Sequence, residues 1–509
     1  MKIISRDIVT DLEKEAVAQG KSYIELMENA GNAVAMEIIN TNTASSPTAL
    51  VLCGKGNNGG DGLVTARILQ QNGFFVDVIF ADGFPQTPNA DTNFKNLPEE
   101  VNVYNYLENE DGVLALLQKS YTYIIDAVYG ISFHGELNPD IARLLQACNN
   151  TNAIRIAIDV PSGVDCNNGA ASAASFRADK TVTFILPKIG HILYPALEYR
   201  GELSVADIGI PQSLTDQCRY ILQSTESYVK VNPLPRRRSV SHKGTYGRLM
   251  CVCGSYGMAG AAVLSGSAAL RSGVGLVTMA VPKSIYEICS TKMPEATFMP
   301  LRQNDEGTLM IENFNQVLYK ANSEYNAVLM GCGLGRNDET DELVGLLIEN
   351  LDKPMILDAD GINAVCMNKD VLKKAHAPII ITPHLGEMAR FLGVEIEEVK
   401  FNMIGMAQQV AREYNLYVVL KDVHTIIAAP DGLVLVNFTG SDGMAKGGSG
   451  DVLAGLMGGF LAQNMPIMTA VANAVYFHGI AGEWAALDNT PRTTTASQLI
   501  KALSKHKII

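Results

Sequence analysis

The sequence predicts an α/β protein of two doubly wound domains, and three observations carry that prediction. Short apolar runs alternate with helix-length stretches along the whole chain, and the runs are continuous in hydrophobicity, as parallel strands covered on both faces require. A glycine-rich segment stands between a strand and a helix in each half. The length of 509 residues provides for more than one core at roughly 150 residues per domain.

Strands in the first half are expected at 49–53, 74–80, 122–128, 154–158 and 181–186, with helices over 62–72 and 139–148. The second half repeats the pattern, with strands at 249–253, 275–281, 326–331, 354–358, 378–382, 417–420 and 424–428. Its long helices are expected near 260–272, 397–414, 449–463 and 468–487. Between the halves, the polar stretch 212–240 ends in Asn232-Pro-Leu-Pro-Arg-Arg-Arg238 and reads as a linker. Pro233 and Pro235 fix extended backbone there, and the arginines read as solvated or paired with the acidic domains. The first domain is therefore set at 1–217 and the second at 225–507.

Forty Lys and Arg against 53 Asp and Glu leave a net charge of −13, which argues against a nucleic-acid or anionic-membrane partner. A local pocket for a phosphate stays open. No run approaches the ~18 apolar residues of a membrane span. Asp7, Asp11, Glu13 and Glu15 stand where a secretion signal has an apolar stretch. The nine cysteines show no CxxC spacing, and Cys251 and Cys253 fall on one face of a strand. They read as reduced core thiols in a cytoplasmic protein.

In doubly wound sheets, ligands bind beyond the carboxyl ends of the strands, so the residues after each run are the candidates. Gly54-Lys-Gly-Asn-Asn-Gly-Gly-Asp-Gly62 follows the first strand and is expected to precede a helix starting near Leu63. Its glycines allow positive φ and close approach to a ligand, and N–H groups at the helix start can hold a phosphate. Asn57, Asn58 and Asp61 add side-chain oxygens. Asp126 and Asp159 end two further strands, the second leading into Val-Pro-Ser-Gly163. Asn58, Asp126 and Ser162 suit a hard monovalent cation, and Asp159 a proton-transferring role.

Glu25-Leu-Met-Glu-Asn-Ala-Gly31, the 57–62 segment, the Asp126…Gly130 loop and Asp159-Val-Pro-Ser-Gly163 together resemble the NAD(P)H-hydrate epimerase family over roughly 1–215. The resemblance implies a Rossmann-like domain that interconverts the R and S epimers of hydrated NADH and NADPH. It implies substrate contacts at Asn57, Asn58, Gly59, Gly60 and Asp61, and at Gly130, Ile131, Ser132, Phe133, His134, Gly135 and Glu136. Potassium falls by the same resemblance on Asn58, Asp126 and Ser162, and acid/base work on Asp159.

In the second half, Ala445-Lys-Gly-Gly-Ser-Gly-Asp451-Val-Leu-Ala-Gly455 opens a long apolar helix. Clustered glycines put backbone N–H groups around a transferring phosphoryl, and Asp451 stands beside it as a base. Further candidates are His242 to Arg248, Gly331-Cys-Gly-Leu-Gly335, Leu357-Asp-Ala-Asp-Gly361, Thr382-Pro-His-Leu-Gly-Glu387 and Lys421 to Thr425. Asp358 and Glu387 could reach magnesium or serve as surface or capping residues. The ensemble resembles the ADP/ATP-dependent NAD(P)H-hydrate dehydratases, of ribokinase-like fold, over roughly 225–507. That implies nucleotide contacts at Lys421, Asp422, Val423, His424, Thr425 and Gly450, and hydrate contacts at Ala262, Gly333, His384 and Asp451. Asp422 departs from the usual Lys-Gly and adds negative charge near the nucleotide.

The joint implication is a repair enzyme for NADHX and NADPHX that uses K⁺ in one domain and Mg²⁺ with ADP or ATP in the other, assembled as a homo-oligomer. A small-molecule kinase, or a first domain that only binds, are the alternatives.

Overall fold

The computed structural model describes residues 2–218 and 222–506, in two compact units divided between residues 221 and 222. Residues 1 and 507, the expected outer ends of the two domains, lie outside the described residues.

The strands of the first unit are Lys2–Ile3 (β1), Thr48–Cys53 (β2), Phe75–Phe80 (β3), Asn102–Asn105 (β4), Tyr123–Ala127 (β5), Ile154–Ile158 (β6), Lys180–Phe184 (β7) and Glu202–Ala206 (β8). The last seven form one parallel sheet in the order β4-β3-β2-β5-β6-β7-β8. Strand β2 shows why the runs are continuous: Val51 and Cys53 pack with Leu63 and Ala66 on one face, Leu50 and Leu52 with Leu144 and Leu145 on the other. The strand order reverses between β2 and β5, so the crevice opens at their carboxyl ends.

The second unit holds Leu222–Ser224 (β9), Arg248–Val252 (β10), Leu276–Pro282 (β11), Thr297–Leu301 (β12), Ala327–Met330 (β13), Met355–Leu357 (β14), Ile379–Ile381 (β15), Tyr417–Leu420 (β16), Thr425–Ala428 (β17) and Val434–Asn437 (β18). They run β9-β18-β17-β16-β15-β14-β13-β10-β11-β12. The pairings from β16 through β12 are parallel, and β17 runs against both neighbours. Here the order reverses between β10 and β13.

Three expectations need correction. The glycine-rich segment is no loop before Leu63: the helix Asn57–Gln71 begins inside it, and none of its five glycines has a positive φ. They serve close packing instead. A Cβ on Gly54 would stand 2.0 Å from the Val128 carbonyl oxygen, and one on Gly62 2.5 Å from the Ala127 side chain. The expected helix 397–414 is two helices, Ile396–Phe401 and Met403–Glu413, because Asn402 leaves helical geometry (φ −138°) and caps both. The supposed linker is largely structured. Strand β9 pairs with β18, and the helix Thr225–Val231 buries Val229 in the second unit's core. Arg237 lies 3.7 Å over the Tyr246 ring and donates to the Gly273 carbonyl.

In the second unit, the helices Ala259–Arg271 and Ser449–Ala462 meet at Gly455, where a Cβ would stand 2.0 Å from the Ser265 carbonyl oxygen. Gly455→Ala should destabilise this unit by about 1–3 kcal/mol through overpacking. Gly345→Ala, on the helix Asp338–Asn350 with only Val371 at 3.9 Å, should be neutral or slightly stabilising. Thermal unfolding of the two variants checks the contrast.

Candidate active sites

In the first unit the candidates gather at the carboxyl ends of β2, β5, β6 and β7. Asp126, in β5, is fully buried: Oδ1 accepts from the Ser162 hydroxyl (2.6 Å) and the Val128 N–H (3.2 Å), and Oδ2 from the Ser162 N–H (2.7 Å). Burial pushes its pKa to about 6 against the pull of those hydrogen bonds. It has no ion pair among the described residues, and the nearby Asn58 amide nitrogen is buried without a partner. Asn58 lies against Gly130, whose Cβ would stand 3.0 Å from Asn58 Oδ1. An unpaired buried carboxylate among oxygen donors fits a bound monovalent cation.

Asp159 follows β6 with a φ of +65°, a conformation that costs a non-glycine residue on the order of 1 kcal/mol or more. The surrounding bonds enforce it. Lys188, fully buried, donates from Nζ to Asp159 Oδ1 (2.6 Å), Thr183 Oγ1 (2.8 Å) and the Phe184 carbonyl (3.1 Å). Thr183 also donates to Asp159 Oδ1 at 2.9 Å. His191 donates from Nε2 to the Asp159 carbonyl (2.8 Å) and accepts the Lys188 N–H at Nδ1 (3.1 Å). Burial pushes this ring down to about 3, so it is neutral. Burial alone would raise Asp159, but the Lys188 charge outweighs it and holds the carboxyl below its ordinary value.

Two carboxyls behave oppositely. Asp61 is driven well above the usual range by burial and then by Asp159 and Glu13. Glu13 is pushed to about 7 by burial and then by Asp159, with Lys188 opposing. Among the expected contacts, Asn57, Ser132, His134, Gly135 and Glu136 are exposed, Gly130, Ile131 and Phe133 are half-buried, and Gly59 and Gly60 are buried packing residues.

In the second unit, Gly448 (φ +94°) turns the chain into the helix Ser449–Ala462, with Asp451 in its first turn. The first N–H groups of that helix have no partner within it and suit an anion. A Cβ on Gly450 would stand 3.4 Å from Lys421 Nζ, so a lysine sits at the same helix mouth. Lys421 Nζ donates to Asp358 Oδ1 at 2.9 Å, as does the Thr382 hydroxyl at 2.6 Å. Burial would raise Asp358, but Lys421 and these bonds hold it below its ordinary value. Asp451 goes the other way, to about 6, through burial and then the neighbouring Asp358. Cys332, Asp358 and Asp451 bring their ligand atoms within 4.8 Å of one another.

The glycine loop at 331–335 has a steric reason. Gly331, Gly333 and Gly335 all have positive φ, and a Cβ on Gly331 would stand 1.8 Å from the Asp358 carbonyl oxygen. His384 caps the helix Leu385–Leu392, Nδ1 accepting the Gly386 N–H (3.0 Å) and the Glu387 N–H (3.3 Å). Its Nε2 lies 3.6 Å from Glu387 Oε1. Glu387 returns the bond by accepting the His384 N–H at 2.8 Å, so its carboxylate is a buried capping group. Lys421 to Thr425 form the turn between β16 and β17: Val423 is exposed, Asp422 and Thr425 half-buried, and His424 packs on Phe438. Ala262 is fully buried in the core, and its neighbour Ala261 is the alanine standing against Gly333.

Sequence reasoning missed Glu13, Thr183, Lys188 and His191 as site residues. Lys188 and His191 follow β7, where the strand-end rule could have found them. Glu13 has only its place on an amphipathic helix.

Residues 249–505 match the family described as NAD(P)H-hydrate dehydratase, and residues 24–190 the family described as YjeF-related protein N-terminus. The chain is 36% identical over 493 residues to the bifunctional NAD(P)H-hydrate repair enzyme of Moorella thermoacetica, covering 94% of this chain and 91% of that one. To the protein of that name from Thermofilum pendens it is 34% identical over 509 residues, covering 99% and 96%. Its fold is similar to the crystal structure of ADP/ATP-dependent NAD(P)H-hydrate dehydratase from Bacillus subtilis co-crystallised with ATP/Mg²⁺. That match has 32% identity and a TM-score of 0.50, over 57% of this chain and 99% of that one.

Lys188→Met leaves Asp159 buried without its counter-charge. The first unit should lose about 3–5 kcal/mol, and the double variant with Asp159→Asn should recover most of it, read by denaturant unfolding.

Proposed function

The chain belongs to the bifunctional NAD(P)H-hydrate repair enzymes, and from that membership we propose that each unit carries one step of the repair. The Rossmann-like first unit interconverts the R and S epimers of NADHX and NADPHX. The ribokinase-like second unit dehydrates the S epimer at the expense of ADP or ATP, giving AMP or ADP and phosphate. The observation that best supports this reading is the second site, where Asp451 stands in the first turn of a glycine-fed helix beside the Lys421–Asp358 pair.

There Asp451 takes the proton of the substrate's ring hydroxyl as that oxygen attacks the terminal phosphorus of the nucleotide. N–H groups of Gly447 to Gly450 and the Lys421 ammonium stabilise the charge that gathers on the transferring group. The phosphorylated oxygen then leaves as phosphate with the C6–O electrons, a proton is lost from C5, and the reduced dinucleotide is restored. Hydroxide, a poor leaving group, is avoided. Mg²⁺, when bound, would supply charge neutralisation on the phosphates; Asp358 and Glu387, already committed to protein partners, would reach it through water.

In the first unit, Asp159 is the base and His191 and Lys188 fix its orientation and ionisation. Asn58, Asp126 and Ser162 hold K⁺, which supplies positive charge beside the substrate loop 130–136. The substrates Asn57 to Asp61 and Gly130 to Glu136 contact are small dinucleotides. No helix among the described residues is long and apolar enough to cross a membrane. The reading places the enzyme in the cytoplasm, where nine free cysteines suit a reducing compartment, and takes a homo-oligomer from the family resemblance.

Asp451→Asn should lose dehydration by roughly 10²-fold or more while epimerisation persists, and Asp159→Asn should do the converse. Near-ultraviolet absorbance of the reduced dinucleotide reads the first, chromatographic separation of the epimers the second. A stable phosphoester in place of reduced dinucleotide would sink the dehydratase assignment. Because Asp451 is raised to about 6 and must be ionised to act, dehydration should fall as the pH drops below that value. Epimerisation should respond to K⁺ over Li⁺, and Asp126→Asn should remove the difference.

A further inference from the structure

Epimerisation at a carbon bearing a hydroxyl and a ring nitrogen needs two proton-transfer groups, and the assigned site offers one. The hydroxyl must leave as water and water must return to the opposite face, so one group gives a proton while another accepts one. Asp159 is a poor donor, because Oδ1 is bound by Lys188 and Thr183 as a carboxylate.

Glu13 stands where the donor is needed. It lies on the helix Arg6–Ala18 between the buried positions Val9, Leu12 and Ala16, four residues after the first of them and so on the same inward face. Val9 and Leu12 pack with Ile131 of the substrate loop and with Ile185, which follows β7. Glu13 is half-buried, and its carboxyl accepts no hydrogen bond among the described residues. Lys188 cannot pair with it, since Nζ already donates to Asp159, Thr183 and the Phe184 carbonyl. The charged groups facing it are Asp159 and Lys188 from the strand ends and Asp61 from the helix Asn57–Gln71.

Resting on the epimerase reading above, we propose that Glu13 is the second catalytic acid/base of the first unit, acting across the substrate from Asp159. Glu13 gives its proton to the C6 hydroxyl, the C6–O electrons leave with water, and the N1 lone pair forms a C6=N1 double bond. Water adds to the other face and gives its proton to Asp159, and the π electrons return to N1. The next turnover in the reverse sense, or exchange with solvent, returns both carboxyls to their starting states. The elevated pKa of Glu13, about 7, leaves about half of the donor protonated at neutrality.

The test uses the full chain with R-enriched NADHX and K⁺, without nucleotide, so that dehydration is silent. Glu13→Gln should lower the epimerisation kcat by roughly 10²-fold with KM within about twofold, and should abolish the fall in rate that the wild type shows as pH rises past about 7. Glu13→Asp should restore part of the rate, and ADP-dependent dehydration of the S epimer should be unchanged as a check on folding. A Gln variant with wild-type kcat and the same alkaline limb overturns the proposal, as does loss of that limb in Asp61→Asn alone. If Asp159→Asn kills epimerisation in the same assay, the epimerase reading survives that failure; if the wild type shows no epimerisation, the reading itself falls.

Discussion

A lysine held against a strand-end aspartate is the interaction on which both sites depend. Lys188 meets Asp159 at 2.6 Å and Lys421 meets Asp358 at 2.9 Å, each beyond the carboxyl ends of parallel strands. Neither carboxylate could stay ionised at that depth without its lysine, because desolvation of a lone charge costs several kcal/mol. With the lysine in place each is held as an anion, and that anion raises the next carboxyl in the pocket: Glu13 and Asp61 beside Asp159, Asp451 beside Asp358. One pair in each unit thus produces two carboxyls with opposed proton affinities, which is the arrangement acid–base chemistry needs.

That electrostatic arrangement holds only if helix starts and strand ends come closer than side chains permit. Gly54 against Val128, Gly331 against the Asp358 carbonyl and Gly455 against Ser265 are approaches at which even a methyl group would overlap backbone atoms. The same closeness explains Asp159 at φ +65° and Ala359, next to Asp358, at φ +47°. Residues with side chains adopt this conformation where the surrounding bonds over-determine it, and both instances fall at the functional strand ends.

The sheets were legible in the sequence because their strands are buried on both faces and so read as unbroken apolar runs. Strands β4 and β8, whose residues are mostly exposed or half-buried, offered no such run. The polar stretch 212–240 concealed β9 and the helix Thr225–Val231 because each contributes only one or two apolar contacts. The glycine motifs announced both sites, yet the conformation inferred for the first was wrong: Gly59, Gly60 and Gly62 lie within a helix and are there for packing. His384 was read as a ligand contact, and its capping bond depends on the chain entering a helix one residue later. Asp126, Asp159 and Asp451 were visible as strand-end or helix-start acids. The pairing of Lys188 with Asp159 and of Lys421 with Asp358 was not, because it spans 29 and 63 residues that only the fold closes.

The opposed affinities also bracket the conditions under which the two steps can run together. Asp451, as the base proposed for dehydration, requires its ionised form, available above about pH 6. Glu13, as the donor proposed for epimerisation, requires its protonated form, available below about pH 7. Each value is displaced upward by burial and by a lysine-held neighbour, and without those displacements Glu13 would be ionised at neutral pH. A stereospecific dehydratase consumes one epimer and leaves the other, so complete repair is limited by whichever site is in the wrong protonation state. Near neutrality, burial in two separate pockets keeps a carboxylic acid in one and a carboxylate in the other, and the same chain can serve both halves of the pool.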